Sequence, residues 1–160
     1  MSSFCVCGPH DFPLEKSRAQ KTTAADVSEF WDMTGTADER GCYVFAMRTP
    51  KGYTPIYVGK THRTFKQECF APHKRYNYNR ALREYRRGTP QMFFVVQTRT
   101  RGKPNDTDIW RVERFLIQNA VVRNPNLANV AGTKQANWRI DGVIRSERGK
   151  PTTSALEFRK

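Results

Sequence analysis

Tyr43 and Tyr57 stand in two short β-prone segments, Gly-Cys-Tyr-Val-Phe at 41–45 and Pro-Ile-Tyr-Val-Gly-Lys-Thr at 55–61, and Lys60 follows the second tyrosine by three positions. Glu113 lies far downstream in a stretch with helical spacing. Two phenols, an ammonium and a distant carboxylate are parts from which phosphodiester cleavage can be assembled. That reaction needs an attacking oxygen, positive charge on the phosphate oxygens and stabilisation of the departing alkoxide.

The charge of the chain points to the same class of substrate. With 28 Lys and Arg against 15 Asp and Glu, the formal net charge is +13 on 160 residues. The excess is localised. Residues 1–40 carry 4 basic and 7 acidic side chains, a net of −3, which leaves 24 basic and 8 acidic, a net of +16, on residues 41–160. A cationic surface of this kind suits nucleic acid, although charge alone does not name the polyanion. No run of about 18 apolar residues and no apolar stretch near Met1 is present, so the expectation is a cytoplasmic protein with no membrane partner, its association with the nucleoid left open.

The elements that must position these residues can be read from periodicity. Thr23 caps a short helix carrying Val27, Phe30, Trp31 and Met33, and Gly35 ends it. Residues 41–47 are an apolar run without helical spacing, 49–52 carry turn chemistry, and 54–59 form a second strand that pairs back as an antiparallel hairpin. Thr64 with Gln67 opens a helical region over 65–87, interrupted near Pro72; 92–97 is a third strand; and 107–123, capped by Asp106 or Thr107, is the clearest helix. In the two hairpin strands Tyr43 and Phe45 share one face, and Ile56 and Val58 oppose Tyr57. The polar first twenty residues, with Pro9 and Pro13, read as an arm draped over the domain or partly disordered. Cys5, Cys7 and His10 are ligand types for zinc, but C-x-C lacks the usual spacer and no second pair follows, so free thiols are the reading for all four cysteines.

The ordered set Gly41-Cys42-Tyr43-Val44, Tyr57-Val58-Gly59-Lys60, Glu113 with Leu116-Ile117, and Asn129 after Leu127 resembles the motifs of the GIY-YIG nuclease superfamily. The resemblance spans roughly residues 41–130. It implies an α/β (α+β) fold with a small three-stranded antiparallel sheet flanked by helices, one Mg²⁺ or Mn²⁺ ion held by Glu113, and one-step hydrolysis of DNA. Under it, Tyr43 acts as or orients the base that deprotonates water, Lys60 and the metal field lower its pKa from about 10, and Tyr57 positions water or phosphate. Gly41, Gly59 and Asn129 are then structural residues. The segmentation is an arm and helix over 1–38, a nuclease core over 39–130 and a C-terminal extension over 131–160 packed on the core.

The chain departs from the family at one place. The arginine expected on the first helix, about ten residues after the second tyrosine, falls on Gln67, which carries no permanent charge. Arg63 is the favoured replacement, with Lys66 and Arg75 as the alternatives. Lys66, Lys74, Arg75, Arg80, Arg99, Arg101 and Lys103 are the candidate backbone-binding cations, with Tyr76, Tyr78 and Tyr85 available to stack on bases. The leading function is a metal-dependent DNA endonuclease, monomeric by default and with RNA left open as a substrate. The alternatives are a nucleic-acid-binding module of the same fold with little turnover and, further off, a basic adaptor for an acidic protein.

Overall fold

The computed structural model describes residues 2–14, 22–85, 87–98, 105–129, 131–134 and 150–158. Its elements in chain order are β1 (Ser3–Asp11), α1 (Ala24–Thr34), β2 (Gly41–Thr49), β3 (Gly52–Thr61), α2 (Phe65–Glu68), α3 (Pro72–Glu84), β4 (Thr89–Thr98), α4 (Asp106–Arg123) and α5 (Thr153–Phe158). The four strands form one antiparallel sheet in the order β1-β4-β2-β3. The interior strands β2 and β4 are covered on both faces, which is why they read as continuous apolar runs rather than as alternating ones.

The sheet has four strands where three were expected. The presumed arm is strand β1, laid along β4 from Ser3↔Thr98 to Asp11↔Gln91. Gly8 and Pro9 interrupt its local pattern, and a register shift between Cys7 and His10 absorbs them. Only the ladder offered by β4 makes this segment a strand. All four cysteines are free thiols, with Cys42 and Cys69 buried.

Helix ends follow cap chemistry. Thr23 and Asp26 form a capping box at the start of α1, as the sequence predicts. The single interrupted helix expected over 65–87 is two helices: α2 is one turn long, and α3 restarts with Pro72 in its first turn, where the missing N–H costs nothing. Asn105, not Asp106 or Thr107, caps α4, its side chain accepting from the Asp108 N–H at 3.2 Å. α5 starts where the Thr152 hydroxyl accepts from the Ala155 N–H.

The sheet is packed on both faces. On one side Phe12, Phe30, Phe45, Phe65, Phe70 and Phe94 join Trp31 and Tyr78 in an aromatic core under α1, α2 and α3. Burial of each such side chain contributes roughly 1.5–3 kcal/mol. On the other side Val58, Ile117, Ala120 and Val121, and separately Cys42, Val95 and Ile109, seat α4. Ile56 does not follow simple alternation. A bulge between Phe45 and Ala46 leaves it without a partner on β2 and turns it into the aromatic core beside Tyr57.

β3 is an edge strand, and its outer edge is closed by the chain that follows α4. The Ala128 N–H donates to the Ile56 carbonyl at 2.8 Å. Asn129 then bonds both outward groups of Val58: its Oδ1 accepts from the N–H at 2.9 Å and its Nδ2 donates to the carbonyl at 2.7 Å. One side-chain amide thus imitates one residue of a neighbouring strand. Asn129, which the sequence reads as structural, thus sits on the outer edge of β3. The apolar positions Trp138, Ile140, Val143 and Ile144 of the C-terminal extension lie outside the described residues.

Candidate active site at the edge of β3

The register of the hairpin decides which side chains meet. Tyr43 is opposite Gly59 and Phe45 is opposite Tyr57, so both tyrosines face the aromatic core, with ring centroids 6.2 Å apart. Gly59 is required here. A β-carbon at that position would stand 2.3 Å from the Tyr43 ring, so only a bare backbone lets the phenol lie across β3. Gly41 is constrained in the same way: its φ is +147° and a β-carbon would meet the Val95 carbonyl oxygen.

Tyr43, expected as the base or its partner, is placed away from the cleft. It is fully buried and lines neither cavity at the β3 edge. Among the described residues its hydroxyl has no hydrogen-bond partner of good geometry, and the neighbouring Tyr78 hydroxyl donates to the Cys69 carbonyl at 3.0 Å. Burial pushes the Tyr43 phenol well above its ordinary value of 10, the opposite of the shift a base needs. Lys60, expected to lower it, points to the other face of the sheet, where its register partner Cys42 packs on Ile109. Cys42 donates its thiol to the Ile109 carbonyl, and burial pushes that thiol up to about 12.

Lys60 instead meets Glu113. The ammonium donates to Oε2 at 2.5 Å, with the side chains 27% and 14% exposed. The pair sits in a wall that is largely withdrawn from water but still open at one side. Tyr57, on the opposite face of β3, accepts a hydrogen bond from the Lys74 ammonium at 2.5 Å; the same nitrogen is 5.0 Å from the centre of the Tyr57 ring. Because β3 is the edge of the sheet, the two faces communicate around it.

Two cavities record this. One, of about 510 Å³, is lined by Tyr57, Lys60, Glu113, Asn77 on α3, and Trp110 and Arg114 on α4. The other, of about 310 Å³, brings Lys60 and Glu113 together with His62, Arg63, Glu68 and Lys74. Lys60 and Glu113 form the wall shared by both. His62 is held at 3.3 Å from Asp106 at the rim.

The missing arginine now has a structural account. Gln67 is occupied by its helix cap: its Oε1 accepts from the Thr64 N–H and its own N–H donates to the Thr64 hydroxyl. Arg63 reaches the smaller cavity from the loop, its N–H fixed on the Thr61 hydroxyl at 2.9 Å. The cation in contact with a tyrosine is Lys74, which the sequence reading placed only among backbone-binding residues. Glu68 was missed as well. The signal for both was the helix break at Pro72, which points the start of α3 back toward β3.

The remaining expectations divide. Lys66 and Arg80 are exposed, and Arg75 is half-buried with its Nε unpartnered. Of the three stacking tyrosines only Tyr76 is open to solvent. Tyr78 is core, and the Tyr85 hydroxyl accepts from Asn124. Arg99, Arg101 and Lys103 lie outside the described residues. Among the described residues no three His, Cys, Asp or Glu side chains converge as a metal cage, and no helix is long and apolar enough to cross a membrane.

No family model, no curated protein and no solved structure matches the chain. The site therefore rests on its own geometry.

Proposed function

We propose that the cleft at the β3 edge hydrolyses phosphodiester bonds of DNA, in the manner of the GIY-YIG nucleases that the motifs resemble. The observation that carries this reading is the convergence of Lys60–Glu113 and Lys74–Tyr57 on one cleft of a chain whose last 120 residues are strongly basic. Lys60, Lys74 and Arg63 supply positive charge for the phosphate oxygens. Tyr57, half-exposed and held by Lys74, orients the attacking water or a phosphate oxygen.

Glu113 offers one hard carboxylate on a rigid helix, with Glu68 in the adjoining cavity. This donor chemistry fits a hydrated Mg²⁺, which takes one or two carboxylates plus substrate oxygens and keeps several waters. When bound, such an ion stabilises the charge that develops on the departing oxygen. The Lys60 ammonium is bonded to Glu113 Oε2, and on transfer to a phosphate oxygen of the substrate it would leave that carboxylate free to hold an ion.

The test is nicking of supercoiled plasmid with Mg²⁺ by the native chain and by Glu113→Gln. The native chain should cut and the variant should lose about 10²-fold or more. Equal cutting by both would overturn the site. A nucleic-acid-binding module with little turnover is the second reading, favoured by the engagement of Gln67 in its cap and by the buried Tyr43 phenol. Salt-sensitive binding without cutting by either protein would establish it.

A further inference from the structure

Trp110 is a large aromatic residue on α4 that stands outside the core clusters of the described residues. The residue is 44% exposed, and it lines the larger cavity one helical turn from Glu113. Arg114, one turn further on, lies over the indole with its guanidinium carbon 4.8 Å from the ring centre. Trp110, Glu113, Arg114 and Ile117 thus form a single stripe of α4 that faces the cleft. Across it stands Asn77, an amide able both to donate and to accept.

We propose that Trp110, backed by Arg114, is a stacking platform for an unpaired nucleobase of the strand whose phosphate is held at Lys60 and Lys74. This deepens the nuclease reading and rests on the cleft being a polynucleotide site. A base inside a duplex shows no face to a side chain, whereas a base in a single strand, a flap or a bulge does. The cavity, at about 510 Å³, is of the size that holds a small-molecule ligand, and its wall combines an aromatic face, one cation and one amide. A flat ring with a cation on it, beside positive phosphate-binding groups, is the chemistry of single-strand recognition. The inferred substrate is a polynucleotide carrying an unpaired nucleotide at or next to the bond that is cut.

The test is binding of fluorescein-labelled oligonucleotides in EDTA, so that cutting plays no part, with a single-stranded 15-mer compared with the blunt duplex of the same sequence. Trp110→Leu keeps apolar bulk but loses the flat face; Trp110→Phe keeps a ring. Single-strand affinity should fall about tenfold in Trp110→Leu and stay within about threefold in Trp110→Phe, with duplex affinity unchanged in both. An unchanged single-strand affinity in Trp110→Leu, or an equal loss on the duplex, would overturn the platform. So would competition by AMP as effective as that by the unlabelled 15-mer, since the strand would then not be the ligand. Near-ultraviolet circular dichroism and melting temperature check that each variant is folded. Failure here is distinct from failure of the nuclease reading, because Glu113-dependent plasmid nicking that is indifferent to Trp110 would keep the nuclease and remove the platform.

Discussion

A β-carbon on Gly59 would lie 2.3 Å from Cζ and 2.4 Å from the hydroxyl of Tyr43. The glycine of the second motif and the tyrosine of the first are therefore one packing unit, with the ring lying across bare backbone. Gly59→Ala should lower the free energy of unfolding by about 1–3 kcal/mol, because the ring is enclosed and has nowhere to shift. Tyr43→Phe should leave stability within about 1 kcal/mol of the native value or raise it, since the hydroxyl is buried without a partner. Chemical denaturation measures both.

Tyr57, not Tyr43, is the phenol that the cleft can use. Tyr57→Phe should reduce plasmid nicking by about 10²-fold, and Tyr43→Phe by no more than about threefold. A larger loss in Tyr43→Phe than in Tyr57→Phe would reverse the assignment.

Lys74 is the cation that contacts Tyr57, where the family pattern would place an arginine on the preceding helix. Lys74→Met should lose about 10²-fold in nicking, whereas Lys74→Arg should retain most of it, since a guanidinium also donates to a phenol and a phosphate. Arg63→Ala, on an exposed side chain, should weaken binding more than turnover. Single-turnover kinetics at saturating protein separates the two.

The edge of β3 depends on Asn129. Asn129→Ala removes both bonds to Val58 and should cost about 1–3 kcal/mol in unfolding free energy. Asn129→Asp keeps the acceptor but sets a carboxylate against the Val58 carbonyl, and should cost at least as much. Amide exchange at Val58, faster in both variants, would locate the effect.

His10 links β1 to pH. It packs against Phe30 and Phe94 with its Nε2 buried and unpartnered among the described residues, and burial lowers its pKa from the ordinary 6.5. The unfolded chain therefore binds the proton more readily, so this contribution to stability is present above pH about 6.5 and is lost as pH falls below it. The melting temperature should drop between about pH 6.5 and 5 in the native chain, and His10→Phe should flatten that limb. An unchanged profile in His10→Phe would remove His10 as the cause.

By itself the amino-acid sequence determined the strands β2, β3 and β4 and the caps at Thr23 and Thr64, because these follow from apolar runs, turn residues and side chains acting within a few positions. It also marked Tyr43, Tyr57, Lys60 and Glu113 as the candidate chemical centre and Asn129 as structural. The fourth strand was not legible, since β1 carries little pattern of its own and is defined by hydrogen bonds to β4. Nor was the different fate of the two tyrosines: both sit in similar strands, and only the stacking of α2 and α3 on one face buries Tyr43 while leaving Tyr57 at an edge. Lys74 and Trp110 enter the cleft for the same reason. Their positions depend on how α3 and α4 pack on opposite faces of the edge strand β3, and contacts of that kind connect residues too distant in sequence for any local pattern to record.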